Sequence, residues 1–179
     1  MTRLARIALA TAAVAGLALA YGPATAQDKE KGKSKHDDTA FIQKTASAGM
    51  HEVKLGEVAN DRAMDPEVKQ FATRMVTDHT KAGRELKAVA EQMGVQVPDK
   101  MMQEHQEHVD RLSMLKGREF DRAYIAHMVD DHKSAVEAFK KCSQSAHDER
   151  LKTFATRTLP TVQEHLTMAE QIQARMKRQ

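Results

Sequence analysis

Apolar and small residues recur at helical spacing from Thr39 onward, which predicts a largely helical chain. The first helix is predicted to end near Asn60. Asp65 and Pro66 then supply an N-cap and a favoured first residue for a second helix. Gly94 ends that helix, because glycine readily adopts the left-handed conformation that often follows a helix.

The same pattern predicts three more helices in the second half of the chain. A short amphipathic helix spans about 102–115, a long helix runs over about 119–145, and the last helix extends from its cap, Asp148, to about Met176. Aromatic residues are only 4% of the chain, which has 8 Gly and 4 Pro, so turn signals are too sparse for an all-β fold. Four long helices and one short connecting helix predict an all-α four-helix bundle.

Two segments that each open on a phenylalanine, 41–93 and 120–176, look like copies of one helical hairpin. Val68-Lys-Gln-Phe-Ala-Thr-Arg in the first segment returns as Leu151-Lys-Thr-Phe-Ala-Thr-Arg in the second. We therefore expect a duplicated hairpin with pseudo-twofold symmetry, which would place equivalent side chains around one midplane.

The N-terminal residues 1–26 have the pattern of a secretory signal peptide. Arg3 and Arg6 precede an apolar run over 7–20, and Ala-Thr-Ala at 24–26 is a typical cleavage signal. The apolar run is too short for a comfortable membrane span. The pattern predicts export to the bacterial periplasm, with or without association with the outer membrane.

The chain that follows the leader is predicted to contain one domain. Residues 27–38 are polar, lysine-rich and without apolar periodicity, which is typical of a disordered spacer. The helical domain then covers 39–177. We expect no transmembrane span after cleavage.

Charge and motifs exclude several classes of function. The chain has 28 basic and 25 acidic residues mixed along its length, for a net charge of +3, so nucleic acid is not an expected partner. Cys142 is the single cysteine and has no partner for an internal disulfide. Neither a GxSxG nucleophile motif nor a glycine-rich phosphate loop occurs, so the sequence favours a protein that is not an enzyme. A protein partner and a homo-oligomer both remain open.

A short pattern, Val-x-[Asp/Glu]-His, occurs on three of the long helices and ends at His79, His132 and His165. Each histidine lies close to the apolar stripe of its helix, and Glu52 occupies an inward position on the remaining long helix. Three imidazoles and a carboxylate would suit one divalent transition metal, such as Fe, Zn or Cu. The acids before the histidines would accept the other ring N–H; they are Asp78, Asp131 and Glu164.

Other histidines carry weaker signals. His51 precedes Glu52 and is predicted to face outward or to supplement the site from its edge. The short connecting helix carries two methionines and two histidines: Met101, Met102, His105 and His108. They could bind copper or zinc at the surface or belong to a solvated helix that caps the bundle. For the core histidines, the alternative to a metal is a buried hydrogen-bond network with Glu52.

Four segments carry a resemblance to a known family: 71–79 (FATRMVTDH), 120–124 (FDRAY), 128–132 (MVDDH) and 158–165 (TLPTVQEH). With them the chain resembles the domain of unknown function 4142 family. The resemblance implies an exported bacterial protein with a ferritin-like four-helix fold, often described as an outer-membrane protein, and it implies no activity.

The sequence departs from the di-iron proteins that share the ferritin-like fold. Those proteins use a Glu-x-x-His motif on each of two helices, and no Glu stands three residues before a His in this chain. We therefore expect a mononuclear metal site, or a remnant site that is now used structurally, rather than a di-iron centre. Two function classes remain: a metal-handling or stress-related protein of the cell envelope, and a noncatalytic envelope protein whose surface binds a partner.

Overall fold

The computed structural model describes residues 26–178, which contain five α-helices and no strand. The predicted leader lies outside the described residues apart from Ala26. The all-α bundle with a short connecting helix is confirmed. The helices are α1 (Ala26–Arg62), α2 (Pro66–Met93), α3 (Gln103–Ser113), α4 (Gly117–Ser145) and α5 (Glu149–Met176).

The four long helices form two hairpins, α1 with α2 and α4 with α5. The hairpins pack so that α2 lies against α5 and α1 lies against α4, while α3 covers α1 and α4. The start of α4 lies beside the α1–α2 turn, because Asp121 accepts hydrogen bonds from the backbone of Met64 and Asp65. Each long helix is therefore antiparallel to both neighbours, and the connection that contains α3 runs the length of the bundle.

The ends of α2 and α5 follow from local sequence. Asp65 and Asp148 each accept a hydrogen bond from the backbone N–H two residues later, which satisfies a free donor of the first helical turn. Gly94 ends α2 in the left-handed conformation with φ 68°. These boundaries agree with those predicted from the caps.

The first helix is longer than predicted. α1 begins at Ala26 and so includes the segment 27–38. Lysine, glutamate and glutamine are good helix formers, and extending an existing helix costs less than nucleating one. Asp38 is buried, so the folded domain includes the end of this segment.

The two hairpins share one register. The same spacing along the chain separates Pro66 from Glu149 and Met93 from Met176, which are the ends of α2 and α5. In this register Phe41 corresponds to Tyr124, and not to Phe120 as the sequence comparison predicted. The difference is four residues, or about one helical turn, which leaves the same face of the helix inward.

Apolar side chains form two clusters along the bundle axis. One surrounds Phe71 and Tyr124 near the α1–α2 turn, and the other surrounds Leu86, Phe139 and Phe154 towards the α4–α5 turn. Between them the midplane of the bundle holds buried polar residues. No helix of the described residues combines the length and apolar character needed to cross a membrane.

Candidate metal centre

Three histidines meet in the middle of the bundle, each from a different helix: His79 of α2, His132 of α4 and His165 of α5. One ring nitrogen from each lies within 4.8 Å of the others. Their ring centroids are 5.2 to 5.7 Å apart. We call these residues the core cluster.

Each ring of the core cluster is oriented through one of its nitrogens. The Nδ1–H of His132 donates to the carbonyl of Met128, one turn earlier, at 2.9 Å. The Nε2–H of His165 donates to the Asp78 carboxylate at 2.9 Å. His79 Nδ1 lies 3.0 Å from Oε2 of Glu52, which pairs the two groups.

The second nitrogen of each ring is free. His79 Nε2, His132 Nε2 and His165 Nδ1 are buried and have no hydrogen-bond partner within the described part of the chain. Buried polar atoms normally have a partner, and three exceptions at one point require an explanation. Histidines that bind metals are held in this way, with one ring nitrogen bonded to an oxygen and the other on the metal. The residues present therefore fit a metal ion.

Electrostatics divides the core cluster into neutral and charged groups. Burial lowers the pKa of His132, and it lowers the pKa of His165 to about 4 although Asp78 opposes the shift. Burial would also lower the pKa of His79, but the charge and hydrogen bond of Glu52 together with the charges of Asp78 and Asp131 outweigh it and raise that pKa. Burial would raise the pKa of Glu52, but His79 and His132 bring it down to about 2. At neutral pH a carboxylate and two neutral imidazoles are therefore available.

Glu52 lies beside the core cluster and faces two of its rings. Its carboxylate contacts Nδ1 of His79 at 3.0 Å and lies 3.6 Å from Nδ1 of His132. These are the nitrogens that are already held, and not the free ones. In this geometry Glu52 pairs with the held nitrogens of His79 and His132.

The three acids that precede the histidines have three different positions. Asp78 holds His165, as the pattern suggested, although it belongs to α2 and pairs across the bundle. Glu164 is exposed and pairs with Arg74, which in turn donates to Asp78 at 3.2 Å. Glu164 thus supports the cluster only through two intermediate side chains.

Asp131 faces a second group of histidines instead of the core cluster. Its Oδ2 lies 3.2 Å from Nε2 of His127 and 3.8 Å from Nδ1 of His51. His51 of α1, His108 of α3 and His127 of α4 each place a ring nitrogen within 4.8 Å of the others. We call these three residues the α3 cluster.

The α3 cluster corrects the sequence analysis. His51 is 1% exposed and not outward-facing, because α3 covers this side of α1. Burial, followed by the charges of neighbouring histidines, lowers the pKa of His51 and of His108 to about 4. His127 was not predicted at all. The available signal was its position one turn before Asp131, which places both on one face of α4.

Tyr124 is a further buried group that the sequence analysis missed. Its side chain is fully buried between Phe71 and Phe120, and its hydroxyl has no partner within the described residues. Burial raises the pKa of this phenol, and the charge of Glu52 raises it further. Tyr124 therefore stays neutral beside the core cluster.

A cavity of about 670 Å³ adjoins the core cluster, with His79, His165 and Glu52 in its lining. The internal repeat explains why there is a cavity beside the core cluster. Each core-cluster histidine and Glu52 has an equivalent position in the opposite hairpin of the repeat. These four equivalent positions hold small or aliphatic residues, and all of them line the cavity. These residues are Gly49, Ala82, Ala135 and Val162.

The fold and its buried rings define a helical-bundle protein with two histidine clusters. The chain belongs to the family described as Domain of unknown function (DUF4142), whose model matches residues 22–172. A comparison with curated proteins gives no match.

Solved structures of related architecture support the fold. A DUF305 fragment from Deinococcus radiodurans has a TM-score of 0.68 and 16% identity, over 78% of this chain and 96% of that one. A DUF305 protein from Streptomyces coelicolor has a TM-score of 0.67 and 16% identity, over 79% and 92%. CopM in its Cu(II)-bound form has a TM-score of 0.65 and 21% identity, over 77% and 96%. At these identities the similarity shows a shared fold.

Proposed function

We propose that this protein binds one divalent transition-metal ion (iron, zinc or copper) through the core cluster, as a metal-handling protein of the bacterial cell envelope. The observation that carries the proposal is the common orientation of His79, His132 and His165. Each has one ring nitrogen beside an oxygen and the other buried without a partner. A single ion among the free nitrogens would satisfy all three.

The surrounding residues would set the charge around the bound ion and the orientation of its ligands. Glu52 compensates positive charge beside His79, and Asp78 fixes the ring of His165. Three imidazoles suit zinc, copper or iron, and a bound ion with an open position would supply Lewis-acid or redox chemistry. Among the described residues one buried carboxylate, Glu52, lies at the cluster, which favours a mononuclear site over a carboxylate-bridged pair of metals.

Copper is the first metal to test, and export is part of the proposal. CopM, which shares the fold, was solved in a Cu(II)-bound form. The charged, apolar and cleavage regions of residues 1–26 support export, which would place the protein where metal ions enter the cell. Mass analysis of the exported chain tests this, with Gln27 expected at its N-terminus.

The metal proposal is tested by binding stoichiometry. Protein is purified without chelator, analysed for metal, stripped, and dialysed against Cu²⁺. We expect His132→Ala to lose one bound ion per chain, because it removes one of three ligands. His147→Ala is the matched control, since His147 is exposed and belongs to neither cluster.

The alternative makes a different prediction. A noncatalytic envelope protein whose buried histidines and carboxylates form only a hydrogen-bond network would bind no metal in any variant. His132→Ala would then lower only the free energy of unfolding, by about 1–3 kcal/mol for a stranded polar partner. Unchanged copper stoichiometry in His132→Ala would contradict the metal proposal.

A further inference from the structure

The α3 cluster lies on a different side of α1 from the core cluster and draws on three helices that are distant in sequence. His51 Nε2 and His108 Nδ1 are 3.1 Å apart, and the ring centroids of His108 and His127 are 3.9 Å apart. Two nitrogens bound to one tetrahedral zinc ion are about 3.3 Å apart, given Zn–N bonds of about 2.0–2.1 Å. The first pair is therefore already close to the separation that a shared metal requires.

Hydrogen bonding leaves this cluster incomplete. His51 Nδ1 and His127 Nε2 are buried and form no hydrogen bond within the described residues, although they face the same oxygen of Asp131. The contact between His51 and His108 is between two ring nitrogens, which share at most one proton. Asp131 is the carboxylate beside the cluster, 3.2 Å from His127 and 3.8 Å from His51. Three imidazoles and one carboxylate form a donor set that suits a divalent transition metal.

The cluster is positioned by its surroundings and is not a chance meeting of mobile side chains. The buried Ser47 hydroxyl accepts the backbone N–H of Met102 and is hydrogen-bonded to Nδ1 of His105, each at 2.7 Å. His105 then stacks on His51, with ring centroids 4.7 Å apart and an interplanar angle of 7°. These contacts fix the start of α3 on α1 and present His108, one turn later, to the other two rings.

We propose that His51, His108 and His127 form a second site for a divalent transition-metal ion, with Asp131 as the neighbouring carboxylate. A bound ion would join α1, α3 and α4 and would hold the connecting helix on the bundle. The site does not depend on the proposed function, because it shares no ligand with the core cluster. The two sites are nevertheless neighbours, since His51 precedes Glu52 and Asp131 precedes His132.

The variants His108→Ala and His132→Ala separate the two sites. α3 contributes nothing to the core cluster, so His108→Ala removes a ligand of the second site alone. Full-length metal-free protein is dialysed against Zn²⁺, and the bound zinc is measured per chain. We expect two ions in the wild type and in His147→Ala, one in either single variant, and none in the double variant.

Other results have distinct meanings. If wild type binds one ion that only His132→Ala removes, this second site is overturned and the core site stands. If only His108→Ala removes the ion, the second site stands and the proposed function fails. A wild type that binds no zinc overturns the second site.

Hydrogen exchange gives a second measurement that does not depend on counting ions. Zinc should slow amide exchange across Gln103–Ser113 in the wild type and in His132→Ala, but not in His108→Ala. His127→Ala, on α4, should behave like His108→Ala and replaces it if that variant fails to fold by circular dichroism. Equal zinc protection of α3 in wild type and His108→Ala would overturn the proposal.

Discussion

Asp38 and Asp121 perform the same task at opposite ends of the bundle. Asp38, in the N-terminal part of α1, accepts the backbone N–H groups of His147 and Asp148 in the α4–α5 turn. Asp121, near the start of α4, accepts those of Met64 and Asp65 in the α1–α2 turn. Each hairpin therefore fastens the turn of the other, in the register of the internal repeat.

This reciprocal capping predicts a large effect for one carboxylate. Asp121→Ala should lower the free energy of unfolding by about 1–3 kcal/mol, because two backbone donors lose their acceptor. Urea unfolding measures the change. Asp130→Ala is the control, because Asp130 is exposed on the same helix, and it should stay within about 0.5 kcal/mol of wild type. Equal effects of the two substitutions would show that the cap contributes nothing.

Two glycines in long helices should respond oppositely to alanine. A Cβ at Gly83 would meet no atom within 4 Å, so Gly83→Ala should stabilise the protein by up to about 1 kcal/mol through helix propensity. A Cβ at Gly56 would lie 2.7 Å from Val76 Cγ2 and 3.1 Å from the Ala72 carbonyl oxygen. Gly56→Ala should therefore destabilise by about 1–3 kcal/mol. Thermal unfolding measures both, and destabilisation by Gly83→Ala would contradict the packing described.

If the core cluster binds metal, Asp78 should matter more than Asp131. Asp78→Asn should weaken metal affinity at the core by about 10–100-fold, because it removes the charged acceptor of the His165 ring N–H. Glu164→Gln should have a smaller effect, since Glu164 is exposed and acts through Arg74. Competition titrations in the His108→Ala background measure the core site alone.

In that background Asp131→Asn should change core affinity by less than Asp78→Asn. Asp131 contacts His51 and His127 and no ring of the core cluster. A larger loss of affinity in Asp131→Asn would mean that the contacts around the core cluster do not describe the bound state.

The metal-free protein should lose stability as the pH falls from about 6.5 to 4. The pKa values of His51, His108 and His165 are lowered to about 4, whereas unfolded histidines titrate near 6.5. The unfolded state therefore binds more protons in this range, which favours unfolding. The raised pKa of His79 acts in the opposite direction, but it is one histidine against four, because the pKa of His132 is lowered as well.

Urea midpoints at pH 7 and pH 5, with chelator present, test this pH dependence. His165→Gln should reduce the difference between the two midpoints, because the substituted side chain does not titrate. A midpoint that rises between pH 7 and pH 5 would contradict the assignment of these histidines as neutral.

The sequence by itself determined the helices and the convergence of the core cluster. Asp65, Pro66 and Gly94 fix the ends of α2 by local backbone chemistry, so no tertiary information was needed. Helical periodicity places Glu52, His79, His132 and His165 on inward faces near mid-helix. In a bundle of parallel and antiparallel helices, inward residues at the same height must meet.

Only the tertiary structure decided which side chains contact one another within the core cluster and beside it. The acids beside the histidines lie about 100° around their helices, so their partners depend on which helix packs there. Asp78 reaches His165, whereas Asp131 reaches the α3 cluster. His51 was expected near the surface because a helical pattern does not reveal where a connecting segment will run. The path of α3 over α1 and α4 buries His51 and brings His108 to it, since a contact across the bundle depends on chain topology and not on local periodicity.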